Sequence, residues 1–342
     1  MRKLLNTVYV TNENAYLTLH ENNLVCSVDG KKVLSIPFDN IENIVCFSYL
    51  GCSPELMGKC VEKEVPINFV SPGGKFWAKV CGETKGNVYL RIQQIDRFRE
   101  QSLKLAQNEV AAKLHNTAAT IKRTQHDHAE FRVDENFQNV LAILKSGMEN
   151  AVKADSTDSL LGLEGRCANA YFSLFPRLIT GSDLSSAFKA RIRRPPLDPV
   201  NAVLSFLYTL ETTDCAAALE TVGLDSYIGF YHSLRSGRVS LACDMVEEFR
   251  CFADRMVITL LNLKVLTIKD FDRQLSGAVW LNKEGKKKVI NKWQEKKRET
   301  MYHPIIKEKI PYGLLPYVQA NLLAKYVRGE VEEYIPFLVR QS

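Results

Sequence analysis

Side chains that commonly bind metal ions are concentrated between Gly223 and Arg250. His232 lies in an aromatic, glycine-containing loop, and the helix predicted to begin near Ser240 carries Asp244 and Glu247. At roughly 100° per residue, these two carboxylates lie about 60° apart on one flank of the helix. With the imidazole they could converge on one divalent cation, and such a ligand set suits magnesium or manganese better than structural zinc. A solvated acidic flank beside a packed histidine is the alternative interpretation.

Glu164 is a further candidate, in the predicted helix Ser159–Leu178. On the helical wheel it falls in the middle of the apolar face. Burial of an unpaired carboxylate is costly, so such a residue is normally protonated, ion-paired or bound to a metal. Gly162 and Gly165 flank it and would allow close approach of a backbone or ligand. A buried ion pair between Glu164 and an arginine is the structural alternative.

Apolar spacing predicts the elements that position these residues. Residues 1–80 contain short β-favouring runs separated by turn signals such as Asp29-Gly30. From residue 87 the spacing is helical. The predicted fold class is α+β: a small N-terminal β-domain at 1–80, a linker at 81–86 and a larger all-α catalytic domain at 87–342. The predicted helices of this larger domain include Val88–Gln107, Val110–Thr124, Glu135–Ala154, Ser159–Leu178, Val200–Thr212, Gly313–Arg328 and Val331–Leu338.

Composition narrows the class of protein. The chain has 342 residues, of which 46% are hydrophobic and 25% charged, as in ordinary soluble globular proteins. It contains no apolar run long enough to span a bilayer and no signal-peptide pattern at its start, so we expect a cytoplasmic protein that does not enter a membrane. Nine scattered cysteines without a CxxC pair argue against a zinc ribbon and a disulfide framework.

The net charge of +6 lies entirely in the second region, because residues 1–85 carry nine basic and nine acidic side chains. Two basic segments are candidates for contact with a nucleic-acid backbone, and a solvated surface is the alternative for both. The first is the proline-rich loop Lys189–Pro199, which would hold its guanidinium groups outside the helical bundle. The second is Lys283–Arg298, with eight basic and two acidic residues around Trp293. The candidate DNA-binding residues are Arg191, Arg193, Arg194, Lys286, Lys287 and Lys288.

Four blocks in order along the chain resemble a known family. GNVYLRIQQ, LEGRCANAYF, RPPLDPVNAVLSFLY and GFYHSLRSGRVSLACDMVEEFR are similar to successive blocks of the CRISPR-associated integrase-nuclease, the first Cas protein family of spacer acquisition. The resemblance is greatest to its subtype I-C. The blocks span residues 86–250, and the remaining lengths of chain fit the family as well.

The resemblance implies catalytic residues Glu164, His232, Asp244 and Glu247. Three of them, Glu164, His232 and Glu247, would bind one divalent metal, magnesium or manganese, while Asp244 would lie behind the metal ligands or near DNA. Helix geometry alone does not choose between Glu247 and Glu248, since both lie within about 60° of Asp244. The family pattern, an acid three residues after the aspartate, selects Glu247.

The implied activity is that of a metal-dependent DNA endonuclease and integrase. It would insert short duplex DNA, the spacer, into a CRISPR array by attack of 3′-hydroxyl ends on the repeat phosphodiester. Implied partners are double-stranded DNA and the small second Cas protein, in a heterohexameric acquisition complex. The β-domain would form a homodimer, which meets the need of a small sheet to cover an apolar face or edge. A metal-dependent nuclease of branched DNA in repair and a non-catalytic DNA scaffold are the alternative functions.

Overall fold

The computed structural model describes residues 7–41, 43–63, 65–70, 76–80 and 88–340. Within them, an N-terminal region of β-sheet precedes a mostly helical region, which confirms the predicted fold class. The predicted linker at 81–86 lies outside the described residues, and the domain boundaries stay a prediction. No helix in the described ranges is both long and apolar enough to cross a membrane.

Two small sheets make up the N-terminal region. An antiparallel sheet has the order β2-β3-β4, and a second sheet has the order β1-β5-β6-β7, with β7 antiparallel to its neighbour and the other pairs parallel. Asp29 and Gly30 have φ angles of 51° and 74°, the left-handed conformation that the tight turn between β3 and β4 requires. The elements are β1 (Thr7–Val10), β2 (Ala15–His20), β3 (Asn23–Val28), β4 (Lys31–Pro37), β5 (Asn43–Cys46), α1 (Pro54–Glu62), β6 (Ile67–Val70) and β7 (Phe76–Val80).

Strand β5 is buried on both faces and joins the two regions. Ile44 and Cys46 face the small N-terminal core, whereas the alternating residue Val45 and the following Phe47 belong to the main core. Phe47 stacks on Phe206 of the helical region, with ring centroids 5.7 Å apart. The continuous apolar run of this strand follows from its burial between the two cores.

The helical region is built around one long helix, α2 (Val88–Asp127), which contacts five of the other helices in this region. Side-chain caps begin four of the helices: Asp134, Ser156, Asp198 and Asn282 each accept a hydrogen bond from a backbone N–H of the first turn. The helices are α2 (Val88–Asp127), α3 (Glu135–Ala151), α4 (Thr157–Leu178), α5 (Pro199–Thr221), α6 (Ser240–Met245), α7 (Arg250–Asn262), α8 (Lys283–Arg298) and α9 (Leu315–Val327).

The structure differs from the predicted elements in several places. The predicted interruption between Gln107 and Val110 is absent, because α2 contains neither glycine nor proline to end it. Residues 331–338 form neither a helix nor a strand, and they bury Tyr334 and Phe337 against the bundle. Two short hairpins were not predicted, because strands of three or four residues carry too little alternation to detect. They pair β8 (Phe271–Arg273) with β9 (Val279–Leu281) and β10 (Thr300–His303) with β11 (Glu308–Pro311).

Gly147 marks the place where α3 packs most closely on its neighbours. A Cβ atom there would lie 2.5 Å from Cys167 Sγ on α4 and 3.0 Å from Leu114 Cδ1 on α2. Both distances are too short for unstrained packing, so glycine sets the separation of the three helices. Glu164 lies on α4, and Lys113 of α2 contacts it.

We expect Gly147→Ala to lower the free energy of unfolding by about 1–3 kcal/mol, because the added methyl group overpacks this contact. Gly58→Ala in α1 is the matched control, since a Cβ atom there meets nothing within 4 Å. The control should be neutral or stabilising by up to about 1 kcal/mol, through helix propensity alone. Urea denaturation measures both, and equal stability of the two variants would contradict the packing argument.

Candidate active site

The four predicted catalytic residues come together where α2 and α4 meet the end of α6 and the turn that precedes α7. Glu164 lies on α4 with 16% of its side chain exposed, and Glu247 is 2% exposed. His232 Nε2 is 3.9 Å from Glu247 Oε1, and the Tyr231 hydroxyl donates a hydrogen bond to Glu164. The cluster is thus a narrow polar site, only partly open to solvent.

Asp244 organises the loop that carries His232. Its carboxylate accepts hydrogen bonds from the backbone N–H groups of Phe230 (2.7 Å), Tyr231 (3.1 Å) and His232 (2.8 Å), and lies 2.7 Å from His232 Nδ1. The side chain is completely buried. Gly229 is required beside it, because a Cβ atom there would lie 2.6 Å from Asp244 Oδ2.

Both oxygens of Asp244 are therefore engaged by the loop. Donation by His232 Nδ1 to this carboxylate, the assignment that the acceptor requires, leaves the lone pair on Nε2. A carboxylate behind an imidazole is the usual arrangement that orients a metal-binding histidine.

Glu247 and Glu248 point to opposite sides of a short 3₁₀ turn, Val246–Glu248, between α6 and α7. Glu247 faces Glu164 and His232. Glu248 faces the C-terminal segment, where it accepts hydrogen bonds from Gln319 Nε2 (2.7 Å), the Phe337 N–H (2.6 Å) and the Tyr334 hydroxyl. The sequence predicts a continuous helix from Ser240 through this region, but the 3₁₀ turn interrupts it. The side chains of Glu247 and Glu248 therefore point to different partners.

Lys113 and Arg250 neutralise the two carboxylates. Lys113 Nζ donates to Glu164 and lies 2.7 Å from Glu247 Oε2, while Arg250 Nη2 lies 2.8 Å from Glu247 Oε1. Burial alone would raise the pKa of Glu164, but Lys113 and the Tyr231 hydrogen bond lower it to about 2. Burial likewise opposes ionisation of Glu247, yet Arg250 and Lys113 hold its pKa below the usual range. Both carboxylates are therefore ionised at neutral pH.

The donors fit a divalent cation chemically. Two ionised carboxylates and one imidazole nitrogen are ligands that magnesium and manganese accept. The ammonium of Lys113 already bridges Glu164 and Glu247, a position in which it is a stand-in for a metal ion. Across the described residues, no three acidic, histidine or cysteine side chains approach closely enough to share an ion in this arrangement. Side-chain adjustment around Lys113 would be needed to close the set.

The structure corrects the prediction for the loop at 189–199. The Arg191 guanidinium turns inward and donates to Asn201 Oδ1 (2.8 Å) and Ser205 Oγ (3.1 Å), so it does not project outside the bundle as expected. The Asn201 side chain, which is polar but lies near an apolar helix face, accepts the hydrogen bond that holds the Arg191 guanidinium inside. Burial lowers the pKa of Arg191 to about 10. Arg193 and Arg194 are exposed, and their contact with DNA stays a prediction.

The basic helix α8 also differs from expectation. Lys286 is buried, with its Nζ 3.8 Å from Glu13 Oε1, so it is not presented to a ligand at the surface. Lys288 pairs with Asp270 at 2.7 Å and is partly exposed. Lys287 is exposed. The reason is that α8 packs on the rest of the chain through the face that carries Lys286 and Trp293, and only the opposite face is open.

Sequence reasoning missed three residues of this site. Tyr231 precedes His232, and Arg250 follows Glu247 by three residues on one helix face, so local spacing could have indicated both. Lys113 lies on α2, far away in sequence from the residues it contacts. Only the tertiary packing of α2 against α4 reveals it.

Comparisons with known proteins identify the family of the chain. The family model described as CRISPR associated protein Cas1 matches residues 8–295. CRISPR-associated endonuclease Cas1 1 of Chlorobaculum tepidum is 40% identical over 344 residues, covering 99% of this chain and 100% of that protein. Neither name states a subtype, so subtype I-C stays a prediction.

Two solved structures share the fold. A casposase bound to integration product has a TM-score of 0.82 and 21% identity, over 96% of this chain and 92% of that chain. A chain of a Cas6-RT-Cas1–Cas2 complex has a TM-score of 0.81 and 20% identity, over 100% of this chain and 37% of that much longer one. At these identities the likeness shows the fold alone. From the family match and the full-length relative together, the chain belongs to the Cas1 family of CRISPR-associated proteins.

Proposed function

We propose that this chain is a metal-dependent DNA endonuclease and integrase that inserts short duplex DNA into a CRISPR array. The observation that carries the proposal is the convergence of Glu164, His232 and Glu247, with both carboxylates ionised and His232 held by Asp244. The relative named as a Cas1 endonuclease supports the nuclease and integrase class.

Glu164, Glu247 and His232 Nε2 would hold one magnesium or manganese ion. When bound, such an ion polarises a phosphoryl oxygen and stabilises the negative charge that develops on it. Asp244 keeps His232 in the tautomer with a free Nε2, and Tyr231 orients Glu164 through its hydroxyl. A 3′-hydroxyl placed in line with the scissile bond would give a joined product, whereas water would give a cut.

The proposed partners are double-stranded DNA, a second copy of the chain and the small second Cas protein. The solved Cas6-RT-Cas1–Cas2 complex contains Cas2 together with a Cas1-containing chain, which supports the last of these. Strand β4 lies at an edge of its sheet and exposes Val33 (59%) and Leu34 (43%), an apolar edge that a homodimer would cover. We also propose the heterohexameric assembly and the cytoplasmic location that the family resemblance implies.

Strand transfer tests the function directly. Purified protein, with and without the small second Cas protein, is incubated with labelled duplex bearing 3′-hydroxyl ends and a leader–repeat plasmid in magnesium or manganese. We expect joining by the wild type, abolished by EDTA. In Glu164→Gln and His232→Ala the joining rate should fall by at least about 100-fold, because each change removes a metal ligand.

As a control, circular dichroism and thermal denaturation establish whether Glu164→Gln and His232→Ala are folded. Cutting without joining would favour the alternative, a metal-dependent nuclease of branched DNA in repair. Full activity of Glu164→Gln would mean that the active site lies elsewhere. If Glu164→Gln and His232→Ala both unfold the chain, the non-catalytic scaffold gains support, because the polar cluster would then be structural.

Asp244→Asn tests how His232 is positioned. The amide keeps the size of the side chain but replaces one acceptor oxygen by a donor, which opposes the N–H groups it faces. We expect manganese affinity, measured by isothermal titration calorimetry, to fall about 10–100-fold. Asp225→Asn is the matched control. The Asp225 carboxylate also accepts a backbone hydrogen bond in this segment, from the Tyr227 N–H at 2.8 Å, but no such bond from His232. An unchanged affinity in Asp244→Asn would contradict the positioning role.

The double variant Arg193→Ala/Arg194→Ala tests the proposed DNA contacts. If both side chains reach phosphates, the slope of log K against log salt concentration should become shallower by up to about 2. Lys286→Ala should leave the slope unchanged, because this side chain is buried against Glu13. Fluorescence anisotropy with a labelled duplex at several salt concentrations gives the slopes. If Lys286→Ala changes the slope as much as the double variant does, the exposure of a basic side chain does not identify the DNA contacts.

A further inference from the structure

Lys113 is the one lysine that joins two of the proposed metal ligands among the residues the structure describes. Its ammonium contacts Glu164 and lies 2.7 Å from Glu247 Oε2. The side chain is only 12% exposed, on the face of α2 that packs against α4 and the start of α7. These are the two carboxylates whose oxygens a divalent cation would need.

The local charge balance makes this contact significant. Glu164 and Glu247 carry two negative charges, and Lys113 and Arg250 supply two positive charges at close range. The four groups are therefore neutral together. A divalent cation between Glu164 and Glu247 would lie close to the positive charges of Lys113 and Arg250, and in a partly buried site that repulsion is weakly screened.

The two cations are held differently. The guanidinium of Arg250 is also packed over the Tyr208 ring, at 4.6 Å from the ring centroid, so it is fixed from a second side. The ammonium of Lys113 is at the end of a flexible four-carbon stem and is held by the two carboxylates themselves. Lys113 is thus the cation that can withdraw.

We propose that Lys113 is an internal competitor for the metal: its ammonium neutralises Glu164 and Glu247 in the metal-free protein and gives up their oxygens when the divalent ion binds. The inference rests on the proposed metal-dependent function and deepens it. It assigns Lys113 to control of metal affinity and of the stability of the metal-free state, as a positioning residue.

Replacement by methionine, which keeps much of the length of the side chain and removes the charge, tests the competition in the full-length protein. In Lys113→Met, manganese affinity measured by calorimetry should rise by at least about tenfold, because the ammonium no longer repels the ion. The melting temperature in EDTA should fall by several degrees, because two buried carboxylates lose one partner. Added manganese should restore more of the melting temperature than it does in the wild type.

Two variants serve as controls. Lys113→Arg keeps the charge and should keep both the weaker manganese affinity and the stability in EDTA. Lys145→Met removes an exposed lysine on α3 and should change neither. An affinity in Lys113→Met equal to or below that of the wild type would overturn the proposal, because Lys113 would then support the metal and not oppose it.

A measurement on the wild type keeps the proposal testable if Lys113→Met does not fold. Acylation of lysines followed by mass spectrometry should find Lys113 protected in EDTA and more reactive with manganese, and lower reactivity with manganese would overturn displacement. Failure of the proposed function gives a different pattern. The wild type would then bind manganese no better than Glu164→Gln and His232→Ala, whatever the behaviour of Lys113→Met.

Discussion

Asp244 makes the contacts on which the geometry of the site depends. A single buried carboxylate accepts three successive backbone N–H groups and orients an imidazole, so one side chain fixes both the path of a loop and the direction of its functional group. Its burial is possible because those donors replace the water it loses. The rest of the fold supports this arrangement: the bundle holds α6 against the loop, and Gly229 leaves room for the carboxylate.

Most of the architecture could be predicted from the sequence because strong local signals set it. Turn residues and alternation defined the N-terminal strands, and helical periodicity defined the larger region. The predictions failed where the determinant was not local. Helical spacing predicts a helix at 331–338, yet these residues form none. The backbone of Phe337 bonds to Asn116 and Glu248 instead of to a neighbouring helical turn. Tertiary hydrogen bonds outweighed propensity there.

The same distinction applies to the site. Glu164 and His232 could be found because a carboxylate on an apolar helix face and a histidine in a glycine-containing loop are unusual for a merely structural role. Asp244 shares a helix flank with both Glu247 and Glu248, and the choice of Glu247 depended on the family resemblance. Lys113 could not be found, since a lysine in a long charged helix is ordinary in sequence. Arg191 was misplaced for a related reason: nothing local shows that Asn201 and Ser205 would draw its guanidinium inward. Sequence identifies groups that are anomalous in their own element, whereas pairing between elements emerges only from packing.

The 3₁₀ turn at Val246–Glu248 has a mechanical consequence. Glu247 and Glu248 are consecutive in the chain. Glu247 faces the candidate active site, whereas Glu248 accepts hydrogen bonds from the Tyr334 hydroxyl and the Phe337 N–H of the C-terminal segment. The positions of the two carboxylates are therefore coupled through one short turn. A change in the C-terminal segment, such as proteolytic trimming before Tyr334, would remove partners of Glu248, the residue next to Glu247 of the candidate site. A variant shortened there would report on the active site as well as on the C-terminal segment.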